Sequence, residues 1–182
     1  MAEGKLLINR ESDVSPCFFG GYMEYTAEIY NLSTKFYNDY PTIHYPEILT
    51  KSGRPYACLL IEYMDDLFIC IPYRSNIRHN YAYLFKNSLR SRLSRSGLDY
   101  TKAVLIQNVE YLDDSVHAIV DQDEYRETVQ NLPKIAKEAF AYVSDYKDVL
   151  NKKKNMHPRE WARRYAMSTI TYFDKFLIEG NQ

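Results

Sequence analysis

Residues 56–72 read YACLLIEYMDDLFICIP and contain two apolar runs separated by a pair of aspartates. The first run covers residues 56–63 and the second covers residues 67–72. Both have the length and the aromatic and branched residues typical of buried strands. Asp65 and Asp66 are turn formers, and Gly53 and Pro55 supply turn chemistry just before the first run. The segment therefore predicts a β-hairpin.

Weaker signals flank the hairpin. Residues 25–32 alternate loosely and predict a strand, after which Ser33 can cap a short helix that Pro41 ends. Residues 73–101 form a long, polar, basic connection, and connections of this length are usually functional or disordered. An apolar run returns at residues 102–107, and residues 115–120 predict a further strand.

From Asp121 onward the apolar period is helical. We expect a first helix that Pro133 interrupts, and Pro158 fits the first turn of a last helix. The apolar stripes of these segments comprise Ile135, Ala139, Tyr142, Val143, Tyr146 and Leu150, and then Trp161, Tyr165, Tyr172, Phe173 and Phe176. Strands followed by helices predict an α+β fold, in which two long C-terminal helices cover a small barrel-like sheet. Residues 1–22 are interpreted as an irregular extension and residues 23–182 as one domain.

Cysteine usage and hydropathy narrow the class of protein. The three cysteines, Cys17, Cys58 and Cys70, show no CxxC spacing, and the four histidines are scattered. This pattern argues against a disulfide framework or a zinc site, so we expect no metal and no cofactor. The N-terminus does not resemble a secretory signal, and no apolar run reaches the roughly 20 residues that cross a bilayer. We therefore expect a soluble, cytoplasmic protein without a membrane partner.

The charge is unevenly distributed along the chain, although the net charge is only −1. The span from Arg74 to Lys102 contains seven basic residues and one acid, Asp99, so it carries +6 while the remainder carries −7. Such a segment can attract a polyanion. A solvated loop of the same composition is the structural alternative.

Residues 71–81, IPYRSNIRHNY, combine groups that suit RNA cleavage without a metal. Arg74 and Arg78 can hold a phosphate, Ser75 can donate to a phosphoryl oxygen, and His79 can move protons near neutral pH. Arg54 precedes the first hairpin strand and can reach the same place if the strands pair tightly. A turn serine that bonds backbone groups and a loop histidine that bonds a carbonyl remain open as structural alternatives. Phosphate-loop, dinucleotide and nucleophile-elbow motifs are absent.

The segments RPYACLLIE, IPYRSNIRHNY and GLDYTKAVLI, followed by the C-terminal helices, resemble the endoribonuclease toxins of type III toxin–antitoxin systems. This is the ToxN/AbiQ group, and the RSxIxH pattern is most similar to its CptN and TenpN branch. The resemblance spans about residues 29–176 and is specific mainly across 54–107. It implies a distorted, SH3-like antiparallel β-barrel and metal-independent cleavage of RNA. It also implies an RNA antitoxin, a short repeated pseudoknot that the toxin processes and that closes with it into a higher-order assembly, with no protein antitoxin.

The resemblance assigns roles to individual positions. Ser75 matches the active-site serine and Arg54 matches a basic residue ahead of the hairpin, whereas Arg74 stands where other members have a small hydroxyl residue. Where ToxN has a lysine two positions after the serine this chain has Ile77, so Arg78 and His79 together are expected to supply the chemistry. The expected RNA contacts are stacking by Tyr73 and Tyr81, and phosphate binding by Lys86, Arg90, Arg92, Arg95, Lys102, Lys152, Lys153 and Lys154.

Two other classes of function remain open at this stage. The basic 73–102 segment would also suit a non-catalytic RNA-binding module, which would keep its RNA affinity and show no cleavage. A protein-interaction domain would show little dependence of binding on salt, whereas protein–phosphate contacts weaken steeply as salt rises.

Overall fold

The structure, a computed structural model, describes residues 18–19, 22–23, 27–50, 56–64, 66–115 and 117–179. The strands in these ranges are β1 Phe18–Phe19, β2 Tyr22–Met23, β3 Glu28–Leu32, β4 Ala57–Met64, β5 Leu67–Arg74, β6 Ala82–Leu84, β7 Gly97–Asp99, β8 Val104–Ile106 and β9 Leu112–Asp113. The α-helices are α1 Thr34–Asp39, α2 Leu89–Leu93, α3 Gln122–Leu150 and α4 Pro158–Tyr165. Segments of 3₁₀-helix cover Tyr100–Lys102, Val109–Tyr111 and Thr169–Phe176.

The predicted hairpin is confirmed as β4 and β5, which form the middle of a seven-stranded antiparallel sheet. The order across this sheet is β6-β7-β5-β4-β3-β9. Two strands pair with the same edge of β5: β8 pairs with its first half and β7 with its last two residues. Among the described strands β6 and β9 do not pair, so the sheet is open. The α+β class is confirmed.

The hairpin also supplies the centre of the core. Leu59, Ile69 and Ile71 have no exposed surface, and truncating a side chain of this kind to alanine typically costs about 2–5 kcal/mol of stability. Cys58 and Cys70 are free thiols, and both are buried as small apolar residues usually are. Burial raises the pKa of Cys58 to about 12, so this thiol is unreactive near neutral pH.

Two helix predictions from local sequence are confirmed. The hydroxyl of Ser33 accepts the backbone N–H of Phe36 at 3.3 Å and caps α1, which ends before Tyr40. The apolar stripe of α3 faces the core through Ile135, Ala139 and neighbouring residues. The prediction that Pro133 interrupts this helix is wrong, because α3 continues through it for 29 residues. Pro133 is exposed, and the buried stripe on either side of it outweighs the roughly 3 kcal/mol that an interior proline costs.

Three further predictions need correction. Residues 73–101 are not one irregular connection, because β5 extends to Arg74 and is followed by β6, α2 and β7. Residues 117–120 form no strand, because the Asp113 carboxylate accepts the N–H and hydroxyl of Ser115 and turns the chain there. The expected last long helix is divided into the eight-residue α4 and the 3₁₀-helix, since Ser168 caps a new start by accepting the N–H of Ile170.

At the N-terminus, β1 and β2 pair with each other, and most of the predicted 1–22 extension lies outside the described residues. None of the helices in the described part of the chain is both long and apolar enough to cross a membrane.

Candidate active site at the ends of strands β5 and β7

The loop after β5 is shaped by a sharp bend and a buried anchor. Asn76 has a φ of 59°, a left-handed conformation that asparagine tolerates better than most residues. The bend directs Ile77 inward, where it is buried and donates its N–H to the carbonyl of Arg95 at 2.9 Å. With Ile77 fixed, Arg78 is exposed and His79 is half-buried at the surface.

Strand pairing places Asp99 beneath this loop. β5 and β7 pair antiparallel with Arg74 opposite Gly97. Asp99 lies two residues further along β7, so its side chain is on the same face of the pair as that of Arg74. The Asp99 side chain is fully buried and accepts a hydrogen bond from the Arg74 guanidinium. It also accepts the N–H of Thr101 at 3.0 Å and its hydroxyl at 2.7 Å. A buried carboxylate of this kind requires such partners, because an unpaired charge in the interior is costly.

His79 completes the group, which we call the Asp99 cluster: Arg74, His79, Asp99 and Thr101. Nε2 of His79 lies 3.4 Å from Oδ1 of Asp99 and 3.3 Å from Oγ1 of Thr101. Nδ1 of the same ring accepts the backbone N–H of Tyr81 at 3.3 Å. The imidazole is 32% exposed. The same ring is therefore held by Asp99 and Thr101 on its buried side and accessible to solvent on the other.

The electrostatics of the Asp99 cluster favour an ionised carboxylate. Burial alone would raise the pKa of Asp99, but hydrogen bonds from His79 and Thr101 and the charge of Arg74 outweigh it and hold that pKa below its usual value. Asp99 therefore remains negative throughout the neutral range.

A group of aromatic rings, which includes Tyr81 and Tyr142, lies next to the Asp99 cluster. The ring of Tyr81 lies 6.2 Å from that of His79, centroid to centroid, at an interplanar angle of 29°. The Arg164 guanidinium lies 5.5 Å from the Tyr81 and Tyr142 rings, within cation–π range, and it bonds Asp145 at 2.8 Å. Nε of Arg164 is buried and has no hydrogen-bond partner among the described residues.

A second buried carboxylate lies under α2. Its members, which we call the Glu124 cluster, are Ser88, Arg90, Ser96 and Glu124. Glu124 is fully buried and accepts hydrogen bonds from the Arg90 guanidinium and from the hydroxyl of Ser96 at 2.7 Å. The hydroxyl of Ser88 also donates to it at 3.2 Å. This cluster attaches the α2 segment to the first turns of α3.

The structure brings four of the five predicted catalytic residues together. Ser75, Arg78 and His79 lie in one loop, with Arg74 at the end of β5. Arg54 lies outside the described residues. The Arg74 guanidinium is paired with buried Asp99 and supports the site from below, while its predicted contact with a phosphate stays a prediction.

Three of the residues predicted to contact RNA make other interactions in the structure. Tyr73 is buried in the core, where its hydroxyl donates to Thr128 at 2.9 Å, so its ring offers no face for stacking. Arg90 belongs to the Glu124 cluster, and Lys102 is paired with Glu47 and nearly buried. These roles are at odds with the RNA contacts predicted for them, and we drop all three from the interface.

The remaining predicted contacts are at the surface. Lys86, Arg92, Arg95 and Lys152 are exposed and form no ion pair within the described residues. Lys153 pairs with Glu179 and Lys154 with Asp145, both at exposed positions where such pairs contribute little. Tyr81 is half-buried.

The sequence did not indicate Asp99, Thr101 or Arg164 as site residues. Asp99 could have been noticed as the one acid within the basic span, in the motif GLDYT. Nothing local distinguishes Arg164 from the other arginines of α4. The described residues contain no group of three or more His, Cys, Asp or Glu side chains arranged to hold a metal ion.

Comparison with protein-family models, with curated proteins and with solved structures finds no match for this chain. The arguments about function therefore rest on the geometry of the site and on the sequence patterns described above.

Proposed function

We propose that the chain is an endoribonuclease that cuts RNA through attack of the ribose 2′-hydroxyl on the adjacent phosphorus, without a metal. The observation that carries the proposal is the partly exposed imidazole of His79, which is held against the buried, ionised carboxylate of Asp99. His79 lies in the same loop as exposed Arg78. A group that can move protons near neutral pH thus stands beside a permanent cation.

Proton removal from the 2′-hydroxyl and stabilisation of the phosphoryl charge each have a side chain suited to them. His79 accepts the proton of the 2′-hydroxyl as the 2′-oxygen bonds to phosphorus and the bond to the 5′-oxygen breaks. Arg78 stabilises the charge on the phosphoryl oxygens, and the hydroxyl of Ser75 donates to one of them. The 5′-oxygen takes a proton from solvent. The products are a 2′,3′-cyclic phosphate and a 5′-hydroxyl.

The biological setting follows from the resemblance across residues 54–107. The protein acts in the cytoplasm as the toxin of a type III toxin–antitoxin system, and its partner is a short repeated pseudoknot RNA that it processes and that inhibits it. Toxin and RNA form a higher-order assembly. Antiparallel pairing of β3, β4, β5 and β8 supports an SH3-like barrel arrangement for the core of the sheet.

The RNA lies across the surface around this loop. Tyr81 stacks on a base, and exposed cations of the α2 segment hold phosphates: Lys86, Arg92 and Arg95. A second basic spot follows α3 at Lys152, Lys153 and Lys154. Such contacts supply affinity and its dependence on salt, whereas the Asp99 cluster supplies the chemistry.

The test is incubation of the purified full chain with mixed-sequence RNA in EDTA, followed by end-group analysis of the products. Wild-type protein is expected to yield fragments with cyclic phosphate ends. The His79→Ala variant is expected to lose cleavage by about a hundredfold or more while retaining RNA affinity.

His44→Ala is the matched control, because His44 is an exposed histidine outside the site, and it is expected to cleave as wild type. Intact RNA with wild-type protein, together with salt-dependent RNA binding, would replace the enzyme by the non-catalytic RNA-binding module. Undiminished cleavage by His79→Ala would remove His79 from its role.

A further inference from the structure

Hydrogen-bond direction determines which nitrogen of the His79 ring carries the proton. The backbone N–H of Tyr81 points at Nδ1 of His79 at 3.3 Å. A backbone N–H can only donate, so Nδ1 must present a lone pair. The proton of the neutral ring is therefore on Nε2.

The opposite side of the ring requires the same proton placement. The single hydroxyl proton of Thr101 is donated to Oδ1 of Asp99 at 2.7 Å, since an ionised carboxylate can only accept. The Thr101 oxygen then faces Nε2 of His79, 3.3 Å away, with a lone pair. Nε2–H completes the chain from ring to hydroxyl to carboxylate, so all the contacts agree on one tautomer.

Asp99 is itself fixed in place. Its carboxylate has no exposed surface and is held by the Arg74 guanidinium and the Thr101 N–H. The other titratable groups nearby are Tyr81, which stacks beside His79, and Tyr142, on which the charge of Asp99 acts. The anchor of the imidazole is thus fixed in place and negative near neutral pH.

We propose that Asp99, acting through Thr101, is a positioning residue that fixes the Nε2–H tautomer of His79 and makes Nδ1 the atom that takes the 2′-hydroxyl proton. The bond from Tyr81 to Nδ1 is longer than the usual 2.7–3.2 Å, so the incoming hydroxyl displaces a weak partner. Nδ1 gains the proton as the 2′-oxygen bonds to phosphorus, and it later returns that proton to solvent. The nearby Asp99 charge stabilises the imidazolium formed in between.

The first readout needs no RNA, so it separates this inference from the proposed function on which its catalytic part rests. The ring nitrogens of His79 are observed by NMR in protein carrying ¹⁵N-histidine, with His79→Gln used to assign the signal. We expect the proton on Nε2 in wild type and a mixed or reversed tautomer in Asp99→Asn. A proton on Nδ1 in wild type, or an unchanged tautomer in Asp99→Asn, would overturn the inference whether or not the protein cleaves RNA.

The second readout is kinetic. Asp99→Asn is expected to lower kcat by about a hundredfold or more with little change in KM, since the substrate still binds while the base is misaligned. A loss confined to KM, or a wild-type kcat, would overturn the positioning role. Absence of cleavage by wild type itself would contradict the proposed function, and the tautomer measurement would then still decide how Asp99 acts on His79.

Thr101 variants keep the test decisive if Asp99→Asn does not fold. Thr101→Val removes only the hydroxyl and is expected to loosen the tautomer and to lower kcat, while Thr101→Ser restores both. Thr128→Val is the matched control, because Thr128 is also buried and its hydroxyl is bonded to Tyr73 and to a helix carbonyl instead of to the Asp99 cluster. An equal loss of kcat in the Thr101 and Thr128 valine variants, after correction for the folded fraction, would contradict the proposal.

Discussion

The Asp99 cluster and the Glu124 cluster are built from nearly the same parts. Each has a carboxylate with no exposed surface, an arginine that pairs with it, and at least one hydroxyl group that donates to it. The Asp99 cluster differs in that it contains an imidazole, that of His79, which solvent can reach.

Under the proposed function, this difference separates a buried charge that only stabilises the fold from one that also acts in catalysis. A buried carboxylate with its arginine is a common way to fix one segment on another, and it does not by itself indicate catalysis. In the Glu124 cluster the cationic partner is an arginine, which stays protonated, and its other two members are serines. In the Asp99 cluster the charge acts on a ring that can gain and lose a proton, which is what general base catalysis requires.

The largest effect on stability is expected where the arginine of either cluster is removed. Arg74→Met leaves Asp99 buried without its main cation and should cost about 3–5 kcal/mol of unfolding free energy, measured by urea denaturation at neutral pH. Arg90→Met should lower stability in the same way by leaving Glu124 unpaired. A loss below about 1 kcal/mol for Arg74→Met would show that the pair does not support the site.

Removing the exposed arginine of the loop should lower activity and leave stability nearly unchanged. Arg78→Met is expected to lower kcat by about a hundredfold, since one stabilising donor for the phosphoryl charge is lost, with stability within about 0.5 kcal/mol of wild type. The control is Arg159→Met, which removes an exposed arginine of α4. Equal cleavage rates for the two variants would remove Arg78 from the mechanism.

Acid should reduce the stability that Asp99 contributes to the folded protein. Because the folded protein holds the pKa of Asp99 below its unfolded value of about 3.9, ionisation of Asp99 adds stability above that pH. The contribution is lost as pH falls through the lower, folded pKa. The stability gap between wild type and Asp99→Asn should therefore narrow below about pH 4, as measured by urea denaturation across pH. A gap that stays constant into strong acid would contradict an ionised Asp99.

The smallest effects should come from the surface cations. Lys86→Ala, Arg92→Ala and Arg95→Ala should each leave stability unchanged and reduce the slope of log affinity against log salt by about 0.7, the value for one single-strand phosphate contact. Lys137→Ala serves as the control on the exposed side of α3. An unchanged slope for all three variants would place the RNA elsewhere.

The elements that were predicted correctly depend on signals within a short window. The hairpin β4–β5 shows dense apolar runs around turn residues, α1 has its cap and its stop in sequence, and the stripe of α3 repeats at helical spacing. Local physics decides such elements, because neighbouring residues alone set their hydrogen bonds and their buried faces.

The site depends on pairing between distant residues, which no local window contains. Arg74 meets Asp99 because β7 extends the edge of β5, and the same pairing continues β5 beyond Pro72 and turns Tyr73 into the core. The polar, basic connection predicted to begin at residue 73 therefore begins only after Arg74. Ring position and tautomer at His79 follow from this non-local contact.

The most direct test compares the effects of Asp99 and Glu124 on the rate of RNA cleavage. We would measure single-turnover cleavage of RNA by Asp99→Asn and by Glu124→Gln, with each rate corrected for the folded fraction. Both variants should be less stable than wild type. Only Asp99→Asn should be slowed by about a hundredfold or more, while Glu124→Gln should cleave at close to the wild-type rate. Equal rates in the two variants would contradict the claim that the imidazole on Asp99 makes this cluster the active site.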